Sequence, residues 1–156
     1  MDNRDVYAAL IELLEQSGVS FRAWEHEAVT TSEEAARVRG VSPESGAKAL
    51  LLKAAGSFVL AVLPGDRQLD WKAVKRLLGV REIRFATAEE LHDITGLEKG
   101  AVPPFGSLFG VLTIVDPQIA ATPLVRFNAG RQTASVEMPG PALLATQQAT
   151  LATIAK

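Results

Sequence analysis

The chain has no cysteine. A disulfide, a thiolate-held metal and a cysteine nucleophile are therefore all excluded, and a reducing compartment is permitted. Histidine is almost as scarce. His26 and His92 are the only two, which argues against a multi-histidine metal site and leaves only a carboxylate site open. No metal and no cofactor are expected. Long apolar runs are missing too. The longest, Phe58–Leu63 and Val111–Val115, fall far short of the ~20 residues that span a bilayer, so no membrane partner is expected. Residues 1–16 carry four acids and no apolar core, so neither a signal peptide nor a transit peptide is expected, and the expected location is the cytoplasm. An excess of positive charge is also lacking. A net charge of -2 suits poorly a protein that grips nucleic acid by bulk electrostatics alone.

What remains is an ordinary globular composition. Of 156 residues, 47% are hydrophobic and 22% charged. A chain of this length buries roughly two-thirds of its unfolded surface. No repeat, low-complexity tract or linker interrupts it, so residues 1–156 are expected to form one domain. Val6, Leu10, Leu13 and Leu14 recur at helical spacing before Gly18, which predicts a helix near 3–17. Alternation over Val19–Trp24 predicts a strand. Thr31-Ser-Glu-Glu34 has the form of a capping box, opening a helix that stops at Gly40. Ala47–Lys53 and Ser57–Leu63 flank Ala54-Ala55-Gly56 as a hairpin. Asp70 is placed to cap a helix over 71–78, with Gly79 at its end. A short strand is expected at Ile83–Phe85, and Thr87-Ala-Glu-Glu90 opens a helix ending near Gly96. Leu97–Ser107 reads as a Gly- and Pro-rich loop. Leu108–Val115, Leu124–Asn128 and Ala134–Met138 read as strands, and the residues from Gly140 onward have helical composition. Strands in adjacent pairs with interleaved helices predict a mixed α+β fold with a largely antiparallel sheet.

Four features bear on chemistry. Lys48 and Lys53 lie on opposite faces of one short apolar strand. Either one snorkels at a sheet edge while the other faces water, or an ammonium lines a cleft and meets a phosphate or carbonyl oxygen. In Gly100-Ala-Val-Pro-Pro-Phe-Gly106 the prolines remove two backbone donors. The loop is either a rigid connection or a cradle whose amides at Gly100, Ala101, Phe105 and Gly106 face an anion. Asn128, in Phe-Asn-Ala-Gly130, either closes a turn or contacts a ligand. Trp24 is either a core or rim aromatic or a substrate wall, and His26, between two carboxylates, is either a solvated histidine or a general base. Finally, residues 1–34 hold eight acids against two bases, whereas 67–84 hold six bases against two acids. The basic segment is either a solvated face or a surface that orients a polyanion.

In order along the chain, Gly-Ala-Lys48-Ala-Leu-Leu-Leu-Lys, Val-Leu-Pro-Gly-Asp-Arg-Gln-Leu-Asp70, Gly100-x-x-x-Pro104-x-Gly106 and Phe-Asn128-Ala-Gly resemble the YbaK/ProX family, relatives of the editing domain inserted in bacterial prolyl-tRNA synthetase. The resemblance runs from about Leu13 to about Leu144. It implies a mixed α/β fold with a curved central sheet flanked by helices. It also implies a trans-editing aminoacyl-tRNA deacylase that hydrolyses the ester of a small amino acid (Ala, Ser, Thr or Cys) mis-attached to tRNA, proline tRNA foremost. By the same resemblance Lys48, Gly106 and Asn128 are expected in catalysis. Trp24, His26, Gly100, Ala101, Pro104, Phe105 and Ser135 are expected against the substrate. Ser135 stands where some relatives have Asp, which counts against the cysteine-specific subgroup. The implied partners are the 3′ end of an aminoacylated tRNA and, beyond it, an aminoacyl-tRNA synthetase or elongation factor. Such an ester is already activated, so a positioned water and oxyanion stabilisation suffice. The competing readings are a non-catalytic module that holds a tRNA end or nucleotide, and a Schiff-base enzyme using Lys48.

Overall fold

The computed structural model describes residues 5–28, 31–40 and 45–156. Helix α1 (Val6–Gln16) buries Val6, Leu10 and Leu14 and is capped by the Asp5 carboxylate. Residues 3 and 4 of the expected helix lie outside the described residues. Strand β1 is Arg22–Glu25, later and shorter than the alternation suggested. Helix α2 (Ser32–Arg39) is capped by Thr31 and ends at Gly40, whose φ of 72° is the left-handed conformation that glycine takes without penalty.

Strands β2 (Ala47–Ala54) and β3 (Ser57–Pro64) pair along their whole length. Their two-residue turn places Ala55 at φ 48° and Gly56 at φ 89°, the primed geometry that matches strand twist. Helix α3 (Trp71–Leu78), strand β4 (Ile83–Phe85) and helix α4 (Ala88–Thr95) follow. The Thr87–Glu90 capping box closes in both directions. Strand β5 is only Leu112–Val115, because Gly106–Leu108 forms a 3-10 turn and Gly110 turns the chain at φ 69°. Helix α5 (Pro117–Ala121), with Asp116 as cap and proline in its first turn, is not among the sequence expectations. Strands β6 (Val125–Asn128) and β7 (Ala134–Met138) form a second hairpin.

The expected C-terminal helix shortens to α6 (Gly140–Ala145), and Thr150–Leu151 form strand β8 instead. The cause is tertiary. Gln147 donates to the Pro104 carbonyl at 2.8 Å, and β8 pairs in parallel with β5.

The mixed α+β class stands, and its sheet is two sheets. One is antiparallel, β1-β7-β6; the other is mixed, β4-β2-β3-β5-β8. A parallel bridge between Gly46 and Arg126 links them. Alternate residues of β2 and β3 feed two cores. Leu51, Leu60 and Val62 join one with α1, β6 and β7. Leu52, Val59, Ala61 and Leu63 join the other beneath Val74 of α3. Among the described residues no helix is long and apolar enough to cross a membrane.

Candidate functional site

Register on the three-stranded sheet assembles the site. Trp24 pairs with Ser135, and Ser135 with Asn128. Directly paired residues point to the same face, so these three form a row. The next row on that face is Arg22, Glu137 and Arg126, joined by Arg126 donating to Glu137 at 2.8 Å. The other face carries Val125, Phe127, Val136 and Met138 into the core. One side of a small sheet is thus apolar and buried, and the other is a polar platform.

Helix α2 delivers Arg39 onto this platform. Its Nε donates to the Ser135 hydroxyl at 3.0 Å and its Nη2 to Asn128 Oδ1 at 2.9 Å. Asn128 Nδ2 donates in turn to the Gly100 carbonyl. A guanidinium only donates and a carbonyl only accepts, so these two partners fix the orientation of the Asn128 amide. Ser135 also meets His26 Nε2 at 2.6 Å, while His26 Nδ1 lies 2.7 Å from the Glu27 carbonyl. The neutral tautomer with hydrogen on Nδ1 satisfies every partner: His26 donates to Glu27, and Ser135 donates to His26 while accepting from Arg39. A continuous chain of hydrogen bonds therefore runs from Gly100 to His26. Burial, with Arg126 adding repulsion, brings the Arg39 guanidinium down to about 10, so it keeps its charge at neutral pH.

A cleft of about 290 Å³ opens over this network, lined among others by Glu33, Arg39, Lys48, Leu50, Gly100 and Asn128. It lies where β2 has no strand partner on that side, between the bridge of Gly46 to Arg126 and the pairing of Leu52–Ala54 with β4. Burial lowers the Lys48 ammonium from its ordinary value, and Glu33 and Asp66 oppose the shift. Lys53, on the opposite face, is otherwise engaged. It lies 3.6 Å from Glu90 and 5.8 Å from the centre of the Phe58 ring.

The structure brings together Lys48, Gly100 and Asn128 in the cleft, with Ser135 and His26 behind them through Arg39. Trp24 is not among the described residues lining the cleft; it lies 4.6 Å from the Arg22 guanidinium and 6.5 Å from the His26 ring. Of the Gly/Pro loop, Gly100 and Val102 line the cleft, and three of the four amides expected to cradle an anion have acceptors within the protein. Ala101 donates to the Glu98 carbonyl at 3.1 Å, Phe105 to Pro103 at 2.9 Å and Gly106 to the Thr113 hydroxyl at 2.9 Å. Phe105 is fully buried against Phe127, and Pro104 is buried with its carbonyl held by Gln147. Of the four expected donors, only the Gly100 amide is without an acceptor among the described residues. Sequence reasoning missed Arg39. It stands in the last turn of α2, where a basic residue is expected for the helix dipole, and its partners lie 89 and 96 positions away.

Residues 26–146 match the aminoacyl-tRNA editing domain family. The chain is 36% identical over 132 residues to the multifunctional Ser/Thr-tRNA deacylase ProXp-y of Escherichia coli K12, covering 81% of this chain and 79% of that protein. It is 46% identical over 78 residues to the proline–tRNA ligase of Bacillus licheniformis, which is 50% of this chain and 14% of that enzyme. Among solved structures, a candidate trans-editing enzyme for prolyl tRNA synthetase superposes with a TM-score of 0.84 at 27% identity, covering 99% of both chains.

Proposed function

The chain belongs to the aminoacyl-tRNA editing domain family and is a trans-editing aminoacyl-tRNA deacylase; from that premise we propose that its cleft hydrolyses the ester of a small amino acid on proline tRNA. The observation that carries the proposal is that Lys48, Gly100 and an Asn128 locked by Arg39 line one cleft, the Gly100 amide having no acceptor among the described residues. Residues 1–156 act as one editing domain in this proposal. The five-stranded sheet supports this, since both hydrophobic clusters pack against it.

The chemistry is attack of water on the ester carbonyl. Charge develops on the carbonyl oxygen, and donors aimed at it lower the barrier. Lys48 and the Gly100 amide fill that role, with Asn128 setting the far wall. This replaces Gly106, whose amide is spent on Thr113. The described residues lining the cleft include no serine, cysteine or histidine to serve as a nucleophile–base pair. Thr31 and Glu33 do line it, and in this proposal a hydroxyl of the terminal ribose, rather than either of them, relays the proton. Turnover of a substrate lacking that hydroxyl at an undiminished rate contradicts the relay.

The amino-acid side chain meets a pocket whose wall mixes polar Asn128, Arg39 and Lys48 with apolar Ala35, Ala36, Ala49 and Val102. Such a pocket excludes larger residues by volume and discriminates weakly among smaller ones. Asn128 on its wall favours Ser, Thr or Ala, and the name of the Escherichia coli relative agrees with the first two. The test is a panel of proline tRNA and other tRNAs charged with Ala, Ser, Thr, Cys and Pro. Hydrolysis of the small hydroxyl-bearing or Ala esters, with prolyl-tRNA spared, is expected. Preferential hydrolysis of prolyl-tRNA overturns the proposal.

A further inference from the structure

The face of β2 that carries Lys48 continues beyond the cleft. Lys48, Leu50 and Leu52 alternate onto one face, and Phe85 of β4 is the direct partner of Leu52. Phe85 therefore lies on the Lys48 side of the sheet, about 13 Å along the strand. It is 53% exposed, unusual for a large aromatic ring that is already half-supported. The support is Trp71, at the start of α3, which meets it edge-on with ring centres 4.9 Å apart. Leu50 links the two places. It lines the cleft and packs on the same cluster as Trp71.

The helix that supplies Trp71 also carries cations. Lys72, Lys75 and Arg76 of α3 follow Trp71 directly, and none of them is in an ion pair among the described residues. Arg84, by contrast, points to the other side and is neutralised by Glu90 at 2.7 Å. An exposed aromatic face beside unpaired cations is what a single strand of nucleic acid requires, with bases stacking on the ring and phosphates on the ammonium and guanidinium groups.

We propose that the Trp71–Phe85 ledge and the cations of α3 bind the single-stranded nucleotides that precede the terminal adenosine of the tRNA. This rests on the reading that the Lys48 cleft takes the tRNA's 3′ end. The ledge stacks a cytosine base on Phe85, and Lys72 and Arg76 hold the adjoining phosphates. The surface thereby supplies affinity that the net acidic chain lacks elsewhere.

The test uses an uncharged, fluorescently labelled RNA hairpin with a CCA tail and a matched hairpin whose two cytidines are abasic. Wild-type protein is expected to bind the base-bearing tail about fivefold or more tightly than the abasic one. Phe85→Ala should erase that preference and Phe85→Tyr should keep it, with thermal midpoints confirming that both fold. Lys72→Ala with Arg76→Ala should weaken both hairpins and flatten the salt dependence. Equal binding of the two hairpins by the wild type, or a preference that survives Phe85→Ala, overturns the proposal. The probe carries no ester, so its result is read independently of deacylation.

Discussion

At the scale of the residue, the site turns on two cations held in different ways. Arg39 is fixed by two acceptors, and its proposed role is to hold Asn128 and Ser135 in place. A lysine keeps the charge but is a point donor that does not span both partners. Arg39→Lys should lower kcat on the order of tenfold to a hundredfold, with KM changed little. An unchanged kcat contradicts the positioning role. Arg39→Ala also strips a partner from the fully buried Ser135 and should cost about 1–3 kcal/mol in denaturant unfolding. Lys48 is free of such a clamp, and burial disfavours its charged form. Its titration, followed by NMR of the side chain, should have a midpoint below 10.5. Glu33 raises that value, so Glu33→Gln should move the midpoint further down; an upward move is incompatible with the geometry. Lys48, Gly100 and Asn128 were legible in the sequence because a motif carries each of them. Arg39 was not, because nothing local distinguishes a last-turn arginine that caps a helix from one that crosses to a distant sheet.

At the scale of the element, the legible parts are those with local causes. The helices at Thr31, Asp70 and Thr87 begin where their caps predict, and the β2–β3 hairpin turns where its small residues allow. That turn contains a correctable flaw. Ala55 adopts φ 48°, which costs an L-residue with a Cβ about 1–2 kcal/mol. Ala55→Asn creates the Asn-Gly pair that this turn favours and should stabilise the protein by about 1 kcal/mol, read as a higher thermal midpoint. Gly106 presents the opposite case. A Cβ there would lie 2.3 Å from the Thr113 hydroxyl and 2.6 Å from the Val111 carbonyl. Gly106→Ala should therefore lower the midpoint, by an amount matching about 1–3 kcal/mol of overpacking. Loss of activity with an unchanged midpoint would instead return Gly106 to the reaction. The segment from Gly140 has helical composition yet leaves the helix after Ala145, because composition carries no information about the Pro104 carbonyl or the β5 edge that capture it.

At the scale of the whole molecule, the acidic net charge and the polyanionic substrate are reconciled by distribution. Acids gather in the first thirty-four residues and bases in 67–84, and the latter flank the proposed ledge. The five-stranded sheet is fastened by a clasp at its far side. Asp116, nearly inaccessible, accepts from the amides of Gln118, Ile154 and Ala155 at 2.9–3.0 Å and so ties the C-terminal residues to the second core. Asp116→Ala should cost roughly 3 kcal/mol in denaturant unfolding and release the C-terminal residues to hydrogen exchange. Whether hydrolysis occurs in the Lys48 cleft is decided by single-turnover deacylation of seryl- and alanyl-proline tRNA by wild type, Lys48→Ala and Lys53→Ala. Rapid hydrolysis is expected of wild type and Lys53→Ala, and a rate near the spontaneous one of Lys48→Ala at an unchanged thermal midpoint. Full activity in folded Lys48→Ala, or hydrolysis by wild type no faster than in buffer, would contradict hydrolysis in this cleft.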